Sequence, residues 1–338
     1  MIVEMRTGAA QEEVDGVVQR AKELGLGTQL NLGTNKTVVA LLGPNTGQLP
    51  IDIFAVLPGV DRVTRIMKPY KLASRGFKSE DTVVSINGVE IGSKRIVVMA
   101  GPCAVEGEKQ LTAAAMVVKE AGACILRGGA YKPRTSPFAF QGLEELGLEL
   151  LRQTKEQFDM PIVTEVVAPH DVARVSEYAD ILQVGARNMQ NYALLTEIGK
   201  SKCPVLLKRG LSATVTEWLT AADYLLAGGN DQVILCERGI RTFEDSTRFS
   251  LDVGSIPIVK KYSHLPLIVD PSHAAGHYSV VPALAKAAIA AGADGLLVEV
   301  HPNPKEALVD GLQSLTPSDF ARLMTELKLI AEAVGRYI

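Results

Sequence analysis

RIVVMAGPC (95–103), CILRGGA (124–130), PIVTEV (161–166), DILQVGAR (180–187), PVLLKRG (204–210), QVILCERG (232–239), LPLIVDPSH (265–273) and GLLVEVHP (295–302) are variations on one phrase. Each is a short apolar run, rich in β-formers, that finishes on polar or charged residues. Between them lie segments of helical periodicity, such as 142–157 and 214–227. Roughly eight strand–helix units over about 240 residues is what a (β/α)8 barrel, or TIM barrel, requires. A doubly wound open sheet is the alternative for the same alternation, but no GxGxxG follows the first strand. The barrel is therefore expected over 95–338.

Working outward, residues 1–68 read as a separate small α+β unit. A strand starts at Ile2, and Val14, Val17, Val18, Ala21 and Leu24 recur at helical spacing over 10–24. Strand-like runs follow at 27–34 and 36–43, then a short helix near 50–58 and a last strand at 60–69. The order βαββαβ predicts a ferredoxin-like fold. Residues 69–94 are expected to form a linker and a hairpin, the latter signalled by Asn87-Gly88 between Val83-Val84 and Val89-Ile91.

Composition narrows the function classes. The 338 residues are 47% hydrophobic and 22% charged, which excludes disordered and fibrous architectures. A balance of 35 Lys+Arg against 38 Asp+Glu, net charge −3, argues against a dedicated nucleic-acid binder. The four cysteines (103, 124, 203, 236) form no CxxC, so neither a zinc ribbon nor a disulfide scaffold is expected. MIVEMRTGAAQEEVD turns acidic before any long apolar run, so no signal peptide is read there. No run reaches the roughly 18 apolar residues of a membrane span, and a cytoplasmic protein is expected.

In an eight-fold barrel, chemistry gathers where strands end. The residues there are Cys103, Arg127, Glu165, Arg187, Lys208, Glu237-Arg238, Asp270 with His273, and Glu299 with His301. Arg127, Lys132, Arg134, Arg187, Lys208 and Arg238 would share one face of a slightly acidic chain. That points to an anionic ligand bearing phosphate or carboxylate groups. Gly185-Ala186-Arg187 adds backbone N–H groups beside a guanidinium, and Lys208 could alternatively be a Schiff-base lysine. Barrel closure would bring Cys103, His273 and Glu299 together from the first, seventh and eighth strands, with Asp310 close behind. One thiolate, one imidazole and two carboxylates suit Mn²⁺, Fe²⁺, Co²⁺ or Zn²⁺. Cys124, Cys203 and Cys236 read as structural, and His170, His264 and His277 receive no role.

GPCAVE (101–106), RGGAYKPRTSPFAFQG (127–142), GAR (185–187), KRG (208–210), CERGIRTFE (236–244), VDPSH (269–273) and EVHPNP (299–304) together resemble the 3-deoxy-D-arabino-heptulosonate 7-phosphate (DAHP) synthase family. The resemblance covers about 95–334, and the amino-terminal module looks like the ACT-like regulatory domain of type I-beta members. It implies condensation of phosphoenolpyruvate (PEP) with erythrose 4-phosphate and water, the first step of the shikimate pathway. It further implies that Cys103, His273, Glu299 and Asp310 hold the metal and that Arg127, Lys132, Glu165, Ala186, Arg187, Lys208 and Arg238 surround PEP. Arg134, Thr135 and Ser136 would take the aldose phosphate, with Asp270 near the sugar hydroxyls. Lys132, or a water on Glu165, would handle the proton. Tyrosine or phenylalanine as effector and a homotetrameric assembly are implied too.

The sister family, 3-deoxy-D-manno-octulosonate 8-phosphate synthase, uses arabinose 5-phosphate and carries KANRSS and DATH. Here the corresponding stretches read KPRTS (132–136) and DPSH (270–273). One departure stands out: Gly276-His277-Tyr278 occupies the place of a basic pair, leaving the anion contacts of that loop open.

Overall fold

The computed structural model describes residues 1–33, 36–43, 46, 48–65, 69–133 and 136–338. It divides into two compact units: Met1–Asp81 with Lys261–His264, and Thr82–Lys260 with Leu265–Ile338.

In the first unit the amino-terminal periodicities become β1 (Ile2–Met5), helix Gln11–Glu23, β2 (Gly27–Leu32), β3 (Thr37–Leu42), a helical turn Asp52–Ala55 and β4 (Val60–Thr64). The strands form one antiparallel sheet in the order β2-β3-β1-β4, the ferredoxin-like arrangement. Alternation along β1 sends Val3 and Met5 to the same face, where they meet Val14, Val17 and Ala21 of the helix and Phe54. The Glu13 carboxylate accepts from the backbone N–H of Ala10 at 2.9 Å, closing the helix start.

The second unit opens with a hairpin, β5 (Val84–Ile86) and β6 (Val89–Ile91). Its turn places Asn87 and Gly88 at φ 46° and 83°, the two positive values a type I′ turn needs. The barrel follows: β7 (Val97–Gly101), β8 (Ile125–Arg127), β9 (Ile162–Glu165), β10 (Ile181–Val184), β11 (Val205–Lys208), β12 (Val233–Glu237), β13 (Leu267–Val269) and β14 (Gly295–Glu299). All neighbouring pairs are parallel, and β14 pairs with β7 to close the ring. The open-sheet alternative is thereby excluded.

Val84, Ile86 and Ile91 of the hairpin share a core cluster with Val97, Ile125, Ile181, Ile234 and Ile268, each the first or second residue of its strand. The hairpin thus covers the end of the barrel away from the strand C-termini, leaving the other end for chemistry. Cys236 is fully buried in this core and Cys124 packs against it, as apolar fillers. Among the described residues no helix is long and apolar enough to cross a membrane.

Strand ends approach closely at one glycine that precedes the cysteine loop. A Cβ on Gly101 would lie 2.1 Å from the backbone carbonyl oxygen of Arg127, which cannot rotate away. Gly101→Ala is expected to cost about 1–3 kcal/mol through forced backbone shifts. Urea unfolding should read this as a lower midpoint at unchanged slope.

Candidate active site

Strand C-termini deliver cations to one cavity of about 290 Å³. Arg127, Lys132, Arg187, Lys208 and Arg238 line it, together with Cys103, Ser136, Glu165, Ala186, His273 and Asp310. Arg134 and Thr135 lie outside the described residues. The chain's net charge of −3 therefore hides a concentrated basic mouth.

Each cation is held differently. Arg127 is buried, and its Nη1 donates to Glu299 Oε1 and to the Pro102 carbonyl, both at 2.8 Å. Lys208 Nζ is ion-paired with the buried carboxylate of Asp270. Arg238 is also buried, and its Nη1 has no hydrogen-bond partner among the described residues. Its guanidinium lies 4.3 Å over the Phe249 ring. A buried, unmatched N–H at a cavity wall is a donor in want of an anion. Arg187 stands in the 3-10 turn Ala186–Asn188, directly after β10.

Beside the cations, ligand atoms of Cys103, His273, Glu299 and Asp310 all lie within 4.8 Å of one another. His273 Nδ1 is 2.7 Å from Asp270 Oδ2, so Nε2 is the nitrogen that faces the cluster, 3.5 Å from Glu299 Oε1. Asp270 also caps its short helix, accepting from the His273 backbone N–H at 2.9 Å. Burial alone would raise the Asp270 carboxyl, but His273 and Lys208 outweigh it and hold the group well below the usual range. Burial likewise opposes ionisation of Glu299, yet His273 and Arg127 bring it down to about 2. The His273 imidazole is lowered, chiefly by burial, which favours the neutral, ligating form.

Cys103 goes the other way. Burial, reinforced by the Glu299 charge, pushes its thiol up to about 12. A thiolate at this position therefore needs a cation placed directly on it. Two carboxylates, an imidazole with its outer nitrogen anchored on a third carboxylate, and a convergent sulfur fit a divalent first-row metal.

Some expectations about the strand ends are revised. Glu237 does not face the cavity: it is fully buried and takes Arg209 Nη1 at 2.8 Å and the Gly239 N–H at 2.7 Å. His301 turns to Glu106, 3.3 Å away. Asp270, expected near sugar hydroxyls, is fully buried and spends its oxygens on Lys208 and His273. His277 and Tyr278 do not line the cavity; their rings lie 4.6 Å apart, and the Tyr278 N–H donates to the Leu312 carbonyl at 2.8 Å. The structure also adds residues that no local pattern marks. Gln183 donates to Glu165 at 3.1 Å, Arg248 and Phe249 line the cavity, and Gln313 reaches Glu299.

A (β/α)8 barrel with a cation-lined mouth and a metal-competent cluster defines the class. Residues 80–334 match the DAHP synthetase I family, and residues 1–68 match the DAHP synthase ferredoxin-like domain. The chain belongs to the DAHP synthetase I family. It is 48% identical to the phospho-2-dehydro-3-deoxyheptonate aldolase of Thermotoga maritima over 335 residues, 99% of each chain. The crystal structure of the Thermotoga maritima phospho-2-dehydro-3-deoxyheptonate aldolase (DAHP synthase) superposes with a TM-score of 0.79 at 47% identity, covering 99% of this chain and 98% of that one. A 2-dehydro-3-deoxyphosphooctonate aldolase from Geobacter metallireducens is 31% identical over 73% of this chain and 97% of its own length.

Proposed function

We propose that this chain is a DAHP synthase, condensing PEP with erythrose 4-phosphate and water to give DAHP and inorganic phosphate. The observation that carries the reading is the meeting of six cavity-lining cations, Arg248 included, with a Cys/His/Glu/Asp cluster at one barrel mouth. Two phosphorylated substrates need the first, and an aldehyde electrophile is served by the second. Cys103, His273, Glu299 and Asp310 would hold the metal, Mn²⁺, Fe²⁺, Co²⁺ or Zn²⁺, which supplies Lewis-acid polarisation of the aldehyde when bound.

The chain's own residues account for the rest. Arg127, Lys132, Arg187, Lys208 and Arg238 would bind PEP with Ala186 and Glu165, neutralising its phosphate and carboxylate. Ser136, with Arg134 and Thr135, would take the aldose phosphate. PEP C3 bonds to the aldehyde carbon, water adds its oxygen at C2, and phosphate leaves with the bridging oxygen. The proton lost by water and the proton gained by the new hydroxyl would pass through Glu165 and Lys132. Lys132 Nζ lies 3.3 Å from Cys103 Sγ, so it bridges the anion sites and the metal-competent cluster.

Glu165 offers a direct check on its own position. A Cβ on Gly185 would lie 2.1 Å from Glu165 Oε1, the end of a flexible side chain. Gly185→Ala is expected to displace the carboxylate at about 1 kcal/mol or less of stability while lowering kcat by about tenfold or more. Steady-state kinetics beside a thermal melt would read both.

PEP consumption measured with erythrose 4-phosphate and arabinose 5-phosphate in parallel tests the substrate. Preference for arabinose 5-phosphate would replace this reading with that of the sister enzyme, which KPRTS at 132–136 and DPSH at 270–273 disfavour. Borohydride trapping with PEP or pyruvate would label Lys208 only if the Schiff-base chemistry operates. The ferredoxin-like unit is assigned to feedback control by tyrosine or phenylalanine, the assembly to a homotetramer and the location to the cytoplasm. Adding either amino acid to the same assay tests the first, and light scattering the second.

A further inference from the structure

Gln313 is buried behind two of the four clustered donors and has no place in the condensation described above. Its Nε2 donates to Glu299 Oε2 at 2.6 Å and to Asp310 Oδ2 at 3.3 Å. Its Oε1 accepts from Arg248 Nη1 at 2.8 Å. Arg248 in turn lies 3.3 Å from Asp310 Oδ2. The chemistry leaves one orientation for the amide: a guanidinium only donates, so Oε1 faces Arg248 and Nε2 faces the two carboxylates. Flipping the amide would break each of these contacts.

We infer that Gln313, oriented by Arg248, is the positioning residue that sets Glu299 and Asp310 for metal binding. Gln313 does not line the cavity, so its role is one of orientation, while Arg248 lines the cavity and holds the amide from that side. Glu299 is clamped from both sides, by Arg127 on Oε1 and by Gln313 on Oε2. Asp310 has no strand to hold it and sits at φ 52°, a left-handed value few side chains adopt. The Gln313 N–H and the Ser314 hydroxyl both donate to the Asp310 carbonyl, at 3.2 Å, fixing that turn. Gln313 therefore holds Asp310 through its backbone N–H and through its amide. The second link, through Arg248, reaches the loop after β12 that also carries Arg238, so the cluster and the anion cavity share one support.

The inference rests on the metal-dependent reading of the site, and its test separates the two. Metal-stripped wild type, Gln313→Met, Gln313→Glu, Arg248→Met and the double variant Gln313→Met/Arg248→Met would be titrated with Co²⁺. Affinity and the thiolate-to-cobalt charge-transfer band, a signature of Cys103 ligation, are the readouts. Gln313→Met is expected to bind Co²⁺ about 10- to 100-fold more weakly, with a shifted band. Gln313→Glu keeps the size and the acceptor for Arg248 but loses both donated bonds. It should also weaken binding if orientation of the carboxylates is what matters. Arg248→Met should give a smaller loss, and the double variant should lose less than the sum of the two, because they share one amide while Arg248 also pairs with Asp310 directly. Melting of the metal-free proteins checks that the folds persist. Wild-type affinity and an unshifted band in Gln313→Met would overturn the inference, and fully additive losses would overturn the relay from Arg248. Absence of Co²⁺ binding by wild type would instead overturn the metal reading itself.

Discussion

Replacing Cys103 by Ser is expected to abolish turnover almost completely while leaving the barrel folded. The sulfur is the soft donor of the cluster, 3.5 Å from Asp310 Oδ2, and a serine hydroxyl is a far weaker ligand for a first-row metal. Affinity should fall by at least about 100-fold and kcat by about 1,000-fold, the size of several kcal/mol of lost transition-state stabilisation. The fold should survive, because Lys132 and Asp310 stand ready to hydrogen-bond the hydroxyl. Chelation of wild type should reproduce the loss and added Mn²⁺ reverse it; full activity after complete chelation would remove the metal from the mechanism. The pH dependence has a definite sign. With the thiol pushed up to about 12, metal binding near neutrality must expel its proton. Wild-type affinity should therefore rise about tenfold per pH unit. The Ser variant should lose that slope, measurable by chelator competition at several pH values.

Lys208→Met is expected to fail twice. It removes one of the cations facing the cavity, raising the KM for PEP, and it leaves the buried Asp270 carboxylate with His273 as its hydrogen-bonding partner among the described residues. Breaking a buried pair from one side costs about 3–5 kcal/mol. Adding Asp270→Asn should recover much of the stability but none of the activity, since His273 then loses the carboxylate that orients it. In wild type the folded Asp270 carboxyl is lowered. Its contribution is therefore complete above the unfolded value and is lost as pH falls through the folded one. Without Lys208 that folded value must rise, so the deficit of the single variant should shrink on acidification. A deficit that does not shrink as pH is lowered through and below the ordinary carboxylate range in denaturant titrations would contradict the pairing.

Most of the architecture was legible along the chain because it is local. Period-2 and period-3.6 patterns arise within single elements, and each predicted barrel run contains the strand observed there. The amino-terminal unit likewise shows the expected βαββαβ order. The Asn87-Gly88 turn was readable for the same reason: two residues suffice to specify it. Residues at strand ends could be gathered into one candidate site once a closed barrel was assumed.

What sequence alone determined, then, was the inventory: the elements, the cations, the donor types and the family they resemble. Only the closed barrel decided who meets whom. Glu237 and Arg238 are neighbours in sequence, yet strand alternation sends one to a buried pair with Arg209 and the other to the cavity wall. Asp270 looked like a substrate contact and proved to be the shared anchor of Lys208 and His273. Gln313, at the end of the short 3-10 turn Gly311–Gln313, and Arg248, in an irregular loop, lie 65 residues apart, where no long periodicity exists to mark them. Their alliance is written only in the distances that β14 and β12 impose when the ring shuts. A side chain's chemistry travels with its residue, but its partners are set by long-range packing, and in this chain the partners make the site.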